Sequence, residues 1–312
     1  MPNPFHDILR IGPRVTAWPV VHGSGDFAWA VRNVMLAGTF DCLALPVPES
    51  FAGPLETAIL ELPTPGVVSQ PETNLFGDLD EAEDVEDDAA SYVPVDPCQP
   101  VIAALRTALG ERLPRKYIDL ETANYRPEAS LLPDAYALKR VPLPQFAATI
   151  LPFLPRPQEQ QTIDRIHHMA WRLRELSIDF ENILFVCNVM HWPWIREAFN
   201  NRQLQPVEHD PVDEAGAWAV QPETLYFMLG ELPFITGLYE QARLDLSPDD
   251  NLSIDGVKQL LIAARKRYKQ TLKGRAKKVT PFLLRQMLKY IRNLTLMDHR
   301  FTPQLTTIVT AA

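Results

Sequence analysis

The sequence predicts an α/β protein: a mostly parallel sheet flanked by helices, followed by an all-helical C-terminal region. Three observations predict it. Short β-rich apolar runs alternate with amphipathic helical patterns over the first two thirds of the chain, the signature of strands joined by crossover helices. No convincing strand pattern follows residue 215, and the remainder has helical spacing. Across 312 residues, 46% are hydrophobic, enough for one large core and an appendage.

In chain order, "VTAWPVV" (15–21) reads as the first strand. Phe27, Ala30, Val31, Val34 and Met35 then recur at the spacing of a helix with one buried face. "DCLALPV" (41–47) is the second strand, "PLETAILEL" (54–62) a short helix and "PGVVSQ" (65–70) a third strand. Residues 74–97 hold nine acidic side chains and no basic one, so a disordered, solvated loop is expected there. The alternation resumes with a helix over 100–109, a strand "KYIDLE" (116–121), and helices over 145–154 and 159–177. "NILFVCNV" (182–189) is the most strand-like run, and 192–201 is helical with Pro193 in its first turn. Two domains follow from this pattern: residues 1–212, carrying the acidic loop, and a basic helical region, 213–312. Ser253 and Thr280 are the expected N-caps in the latter.

Composition excludes several classes. No apolar run is long enough to cross a bilayer, and the first residues show neither a basic leader nor a signal-length apolar stretch, so a cytoplasmic protein is expected. Cys42, Cys98 and Cys187 are too few and scattered for a disulfide framework or a thiolate zinc cage, and read as reduced packing residues. The net charge of −9 argues against general nucleic-acid affinity. Residues 258–292 nevertheless contain twelve Lys or Arg and no acid, and read as a solvated pair of helices balancing the acidic loop. Either charged segment is a candidate contact for a protein partner.

Ligands of an open parallel sheet bind beyond the carboxyl ends of its strands. His22 and Asp26 after the first strand, Asp119 late in "KYIDLE", and His191 after "ILFVCNVM" meet that condition. Two units share the order strand, histidine, helix, so both imidazoles are expected to point into one crevice. Imidazoles and carboxylates converging there suit either a divalent metal (Zn or Mn, on His22, His191 and Asp119) or general acid and base work on water. Gly23 and Gly25 allow a tight turn beside them. Tyr125 and Arg126 open a segment, 125–140, placed to cover the crevice. His167 and His168 diverge on their helix, and His6, His209 and His299 carry no signal. Trp192 and Trp194 either wall the pocket or anchor the helix to the sheet, anchoring being the usual role of such large aromatics.

"HGSGDF" resembles the histidine-glycine-small-x-acid-phenylalanine segment of the erythromycin esterase-like superfamily, whose relatives include ChaN-like haem-binding lipoproteins and TraB/Tiki proteins. Arg165, Met169 and Ala170 in "RIHHMAWRL" resemble that superfamily's arginine-x-x-x-methionine-alanine helix, and "NVMH" (188–191) its glycine-x-x-histidine motif. The resemblance implies that His22 and His191 are pocket histidines, with Asp26 as the acid beside the first and Arg165 as a group that orients a carboxylate or oxyanion. It implies hydrolysis of an ester, lactone or amide in a small molecule or peptide. Arg32, off the buried stripe, is expected to face solvent. Two departures stand out: Pro46 occupies the position of the second-strand glutamate, with Glu49 three residues on, and Asn188 replaces a glycine. If Glu49 does not reach the crevice, the alternative is a catalytically inactive domain that binds or scaffolds. Haem binding is not expected without the lipid anchor of the ChaN-like proteins.

Overall fold

The computed structural model describes residues 7–72, 89–127, 141–244, 255–298 and 303–312. Its body is a four-stranded parallel sheet built from β1 (Val15–Val20), β2 (Cys42–Leu45), β5 (Arg115–Tyr117) and β6 (Ile183–Asn188), in the order β1-β6-β2-β5. The central strands β6 and β2 are buried along almost their whole length, as continuous apolar runs require when both faces are covered. Helices α1 (Gly25–Ala37), α2 (Ala52–Leu60), α3 (Pro100–Glu111), α4 (Leu143–Ile150), α5 (Gln160–Asp179) and α6 (Trp192–Asn200) flank it, with α1 packed on α3 and α5 on α6. On α1 the buried residues are Phe27, Ala28, Val31 and Met35, so Ala28 takes the place expected of Ala30.

A second, antiparallel sheet departs from expectation. β3 (Gly66–Pro71) does not join the parallel sheet but pairs with β4 (Ala90–Val95) on one side and β7 (Gly216–Ala219) on the other. Of the disordered acidic loop expected over 74–97, residues 74–88 lie outside the described residues, and its C-terminal part is instead β4 from Ala90. "SYVPV" alternates in a way that composition over a longer window hides. A short strand also lies beyond residue 215. "GAWA" is too brief for periodicity to reveal, and pairing with β3 defines it.

From Leu225 onward the elements among the described residues are helical: α7 (Leu225–Met228), α8 (Pro233–Leu244), α9 (Gly256–Leu272), α10 (Pro281–Met297) and α11 (Leu305–Ala311). Helix α8 is tied to the α/β body, since Arg106 on α3 donates to Glu240 at 2.8 Å and Tyr239 packs with Ala28, Cys98 and Ala103. Helices α9, α10 and α11 share a smaller core formed by Leu261, Ile291 and Ile308 with Leu232 and Ile235. Thr280 caps α10 as expected, its hydroxyl accepting the Leu283 N–H at 3.2 Å. Asp255 caps α9 by accepting from the Lys258 N–H, whereas Ser253 lies outside the described residues.

Candidate active site

β1 and β6 are neighbours in parallel register, with Val20 opposite Asn188. His22 follows the first strand by two residues and His191 follows the second by three. Adjacent strands lie about 5 Å apart, so their ends deliver both imidazoles to one rim. Both rings line a cavity of about 240 Å³ together with Arg165, Asp119, Asn188 and Gln99. The rest of the wall is mixed: Pro46, Val47 and Phe51, Val93 and Pro94 of the second sheet, and the polar side chains of Gln70, Ser91 and Thr122.

The turn that carries His22 is fixed by backbone constraints. Gly23 adopts φ +73°, a conformation that disfavours any side chain, and a Cβ there would meet the Gly230 Cα at 2.9 Å. Gly230 in turn donates its N–H to Asp96 at 2.9 Å, and the Gly25 N–H reaches Glu231 at 3.4 Å. Residues just ahead of α8 thus brace the turn that carries His22. Asp96 is 1% exposed, and burial pushes its carboxyl pKa up against the hydrogen bonds from Cys98 and Gly230.

Gln99, the residue before α3, settles the state of His22. Its Oε1 accepts the Gly23 N–H at 3.3 Å and lies 3.2 Å from His22 Nδ1. An amide oxygen held by a backbone N–H can only accept from the ring, so Nδ1 carries the proton and Nε2 is the basic nitrogen. Desolvation in the cleft lowers the His22 pKa to about 4; the Gln99 hydrogen bond opposes this, and the charges of His191 and Arg165 add to it. The ring itself stays exposed on the cavity side. His22 is accordingly neutral at physiological pH.

Arg165 and Asp119 form a buried ion pair at the same rim. Arg165 Nε and Nη2 donate to the two carboxylate oxygens at 3.1 and 2.5 Å, with the side chains 12% and 2% exposed. Burial opposes the guanidinium charge, and Asp119 more than offsets it. The Tyr125 ring lies 5.0 Å from the guanidinium. Arg165 is thus salt-bridged and also lines the cavity.

The expected metal site does not fit. Asp119 spends its oxygens on Arg165 and on the Leu120 N–H, and a guanidinium stands where a cation would bind. Among the described residues no group of three or more His, Cys, Asp or Glu gathers in metal-binding geometry. Two imidazoles alone fall short of the three or more protein ligands that zinc takes.

Other expected members of the site are elsewhere. Asp26 sits in the first turn of α1, where a carboxylate complements the helix dipole, and does not line the cavity. Glu49 is exposed and faces a neighbouring cavity bounded by Glu56, Lys116 and His168. Backbone geometry explains this: the chain leaves β2 through Pro46 and Pro48 and turns into a short helical segment at Glu49–Phe51, which carries the carboxylate away. Asn188 replaces glycine without loss of the turn, because its Oδ1 accepts the Met190 N–H at 2.9 Å. Trp192 is fully buried and Trp194 donates to the Pro155 carbonyl at 3.1 Å; neither lines the cavity, so both anchor α6. Arg32 is half-buried over the Trp29 ring. Of the segment 125–140, Tyr125 lines the cavity and residues 128–140 lie outside the described residues.

Sequence reasoning missed Gln99, Asp96, Gly230 and the wall from β4. Only Gln99 had a local signal, a polar residue just before a proline-initiated helix. The others reach the site through contacts more than 130 residues apart in sequence or through the second sheet. Comparison with known proteins adds no relative: no family model, curated protein or solved structure matches the chain.

Proposed function

We propose that the cavity is the active site of a metal-independent hydrolase acting on an ester, lactone or amide of a small molecule or peptide end. The observation that carries this reading is the convergence of two imidazoles and a fixed guanidinium on one partly apolar cavity. His22 Nε2 takes a proton from water as the water oxygen attacks the carbonyl carbon. The charge that develops on the carbonyl oxygen is met by Arg165, held in place by Asp119 and Tyr125. Collapse of the tetrahedral intermediate expels the leaving oxygen or nitrogen, which takes the proton that His22 Nε2 removed from the water, while His191 lines the same cavity and orients the leaving group. The resemblance to the erythromycin esterase-like superfamily supports this assignment of roles. The small cavity favours compact substrates.

Turnover of a panel of small aryl esters and lactones tests the proposal. His22→Ala and His191→Ala should each lower kcat/KM by roughly a hundredfold or more while leaving the fold intact. Retained activity in a folded His22→Ala protein would remove the scheme.

A second reading, a binding domain without turnover, is favoured by the outward position of Glu49 and by Pro46 in the cavity wall. It predicts that no panel member is hydrolysed by the unaltered protein, while a small carboxylate raises its Tm and fails to do so in Arg165→Gln. The three cysteines are free and buried, which supports a reducing, cytoplasmic setting. No helix among the described residues is long and apolar enough to cross a membrane.

A further inference from the structure

Helices α9 and α10 form the most one-sided charged surface of the molecule. Residues 256–297 contain twelve Lys or Arg and not one Asp or Glu, and all twelve except Arg265 are exposed. Solvated helices ordinarily interleave both signs, because like charges at i, i+4 repel. Here nothing on either helix offsets the repulsion. The cations are also ordered in space. On α9, Lys258, Lys266 and Lys269 share one face, and on α10 Arg285, Lys289 and Arg292 recur at i, i+4 and i+7. The connection between the helices, "KGRAKK", adds four more and is held back on α9 by the Tyr268 hydroxyl, which accepts the Lys277 N–H at 3.0 Å. The opposite faces are consumed in the small core around Leu261 and Ile291. What remains exposed is a dense cationic array, interspersed with apolar side chains such as Ile262, Phe282 and Tyr290.

The rest of the chain decides what it fits. Outside these helices there are 18 basic against 39 acidic residues, a net of −21. A protein of that charge repels a long polyanion or an anionic bilayer at a distance. Its own sequence supplies the complement. Residues 33–105 carry no Lys or Arg at all, and 78–88 concentrate eight carboxylates in eleven residues. We infer that the α9/α10 array is a docking surface for an acidic polypeptide segment, and that its occupant is the segment 78–88 of this chain. Neutralising the array by an acidic segment relieves the repulsion within it.

The test uses the full-length chain with the eight acids of 78–88 changed to their amides, titrated with a fluorescent peptide of residues 76–90. Saturable binding should appear in anisotropy and weaken at least tenfold between about 0.05 M and about 0.3 M salt, as the screening length shortens. The unaltered chain should bind the peptide several-fold more weakly, because its own segment competes. Combining Lys258→Gln, Lys266→Gln, Lys269→Gln, Arg285→Gln and Lys289→Gln in the neutralised chain should reduce binding at least tenfold with the circular dichroism unchanged, glutamine being a good helix former. Absence of peptide binding overturns the inference, as does equal affinity for the unaltered and neutralised chains. Tighter binding of a short DNA duplex or of phosphatidylserine vesicles by the unaltered chain overturns it in favour of a nucleic-acid or membrane surface.

Discussion

His22 and His168 share a titration behaviour and differ in nearly everything else. Burial lowers both pKa values to about 4. His22 opens into the cavity, with Nδ1 directed at Gln99 and the ring beside His191 and Arg165. His168 is 2% exposed, its Nδ1 has no hydrogen-bond partner among the described residues, and its ring packs edge-on against His209 at 4.6 Å. A depressed imidazole pKa therefore reports surroundings and not use. Access sets the candidate site apart from a packing position.

Substitutions sharpen that contrast, and the largest effect is expected at the ion pair. Arg165→Ala leaves Asp119 buried without its partner and should cost about 3–5 kcal/mol by denaturant unfolding, together with loss of turnover or ligand binding. Adding Asp119→Ala should return part of the stability and none of the activity. A double variant as unstable as the single would show that the pair contributes by packing alone.

The two histidines should then separate cleanly. His168→Ala empties a packed position and should lower stability by about 2–3 kcal/mol, with kcat/KM within a factor of about three. His22→Ala should do the reverse, abolishing turnover for less than about 1 kcal/mol. If both variants behave alike in both measurements, the contrast drawn between them is void.

Acid pH provides a subtler measurement. Because the His168 pKa is lowered from 6.5 to about 4 in the fold, the unfolded chain binds the extra proton between those values. The resulting stability is fully present above about pH 6.5 and is lost as pH falls toward 4, on the order of 2–3 kcal/mol in all. His168→Gln should flatten unfolding free energy against pH over that window. Activity should follow the other ring: kcat/KM stays level down to about pH 5 and falls as His22 is protonated near 4.

The smallest effect belongs to Glu49. Exposed and turned to the neighbouring cavity, it should tolerate change to Gln within about 0.5 kcal/mol and without altering turnover. A large loss in Glu49→Gln would place the carboxylate back in the crevice and restore the mechanism expected from the superfamily.

Much of the architecture was legible from pattern. "VTAWPVV" and "NILFVCNV" announce buried parallel strands because both faces of each must be apolar, and the histidine that follows each is a visible break in that run. Thr280 with Pro281 marks a helix start by local hydrogen bonding alone. The second sheet was not legible. β7 is four residues long, three of them exposed, and exists through pairing with β3 about 150 residues earlier. Asp119 was placed at the rim correctly, but its commitment to Arg165 on α5 was invisible, since nothing local distinguishes a carboxylate that holds a guanidinium from one that is open.

By itself the sequence determined the strands of the parallel sheet and most of the helices, where the charges gather and that His22 and His191 stand at strand ends. Those properties depend on local periodicity, capping and composition, and need no knowledge of distant neighbours. Tertiary structure alone decided that β1 and β6 lie side by side, that Gln99 fixes the His22 tautomer, that Gly230 braces its turn and that Glu49 turns away. Each of these is a relation between residues far apart in the chain, set by how the elements bury their apolar faces together.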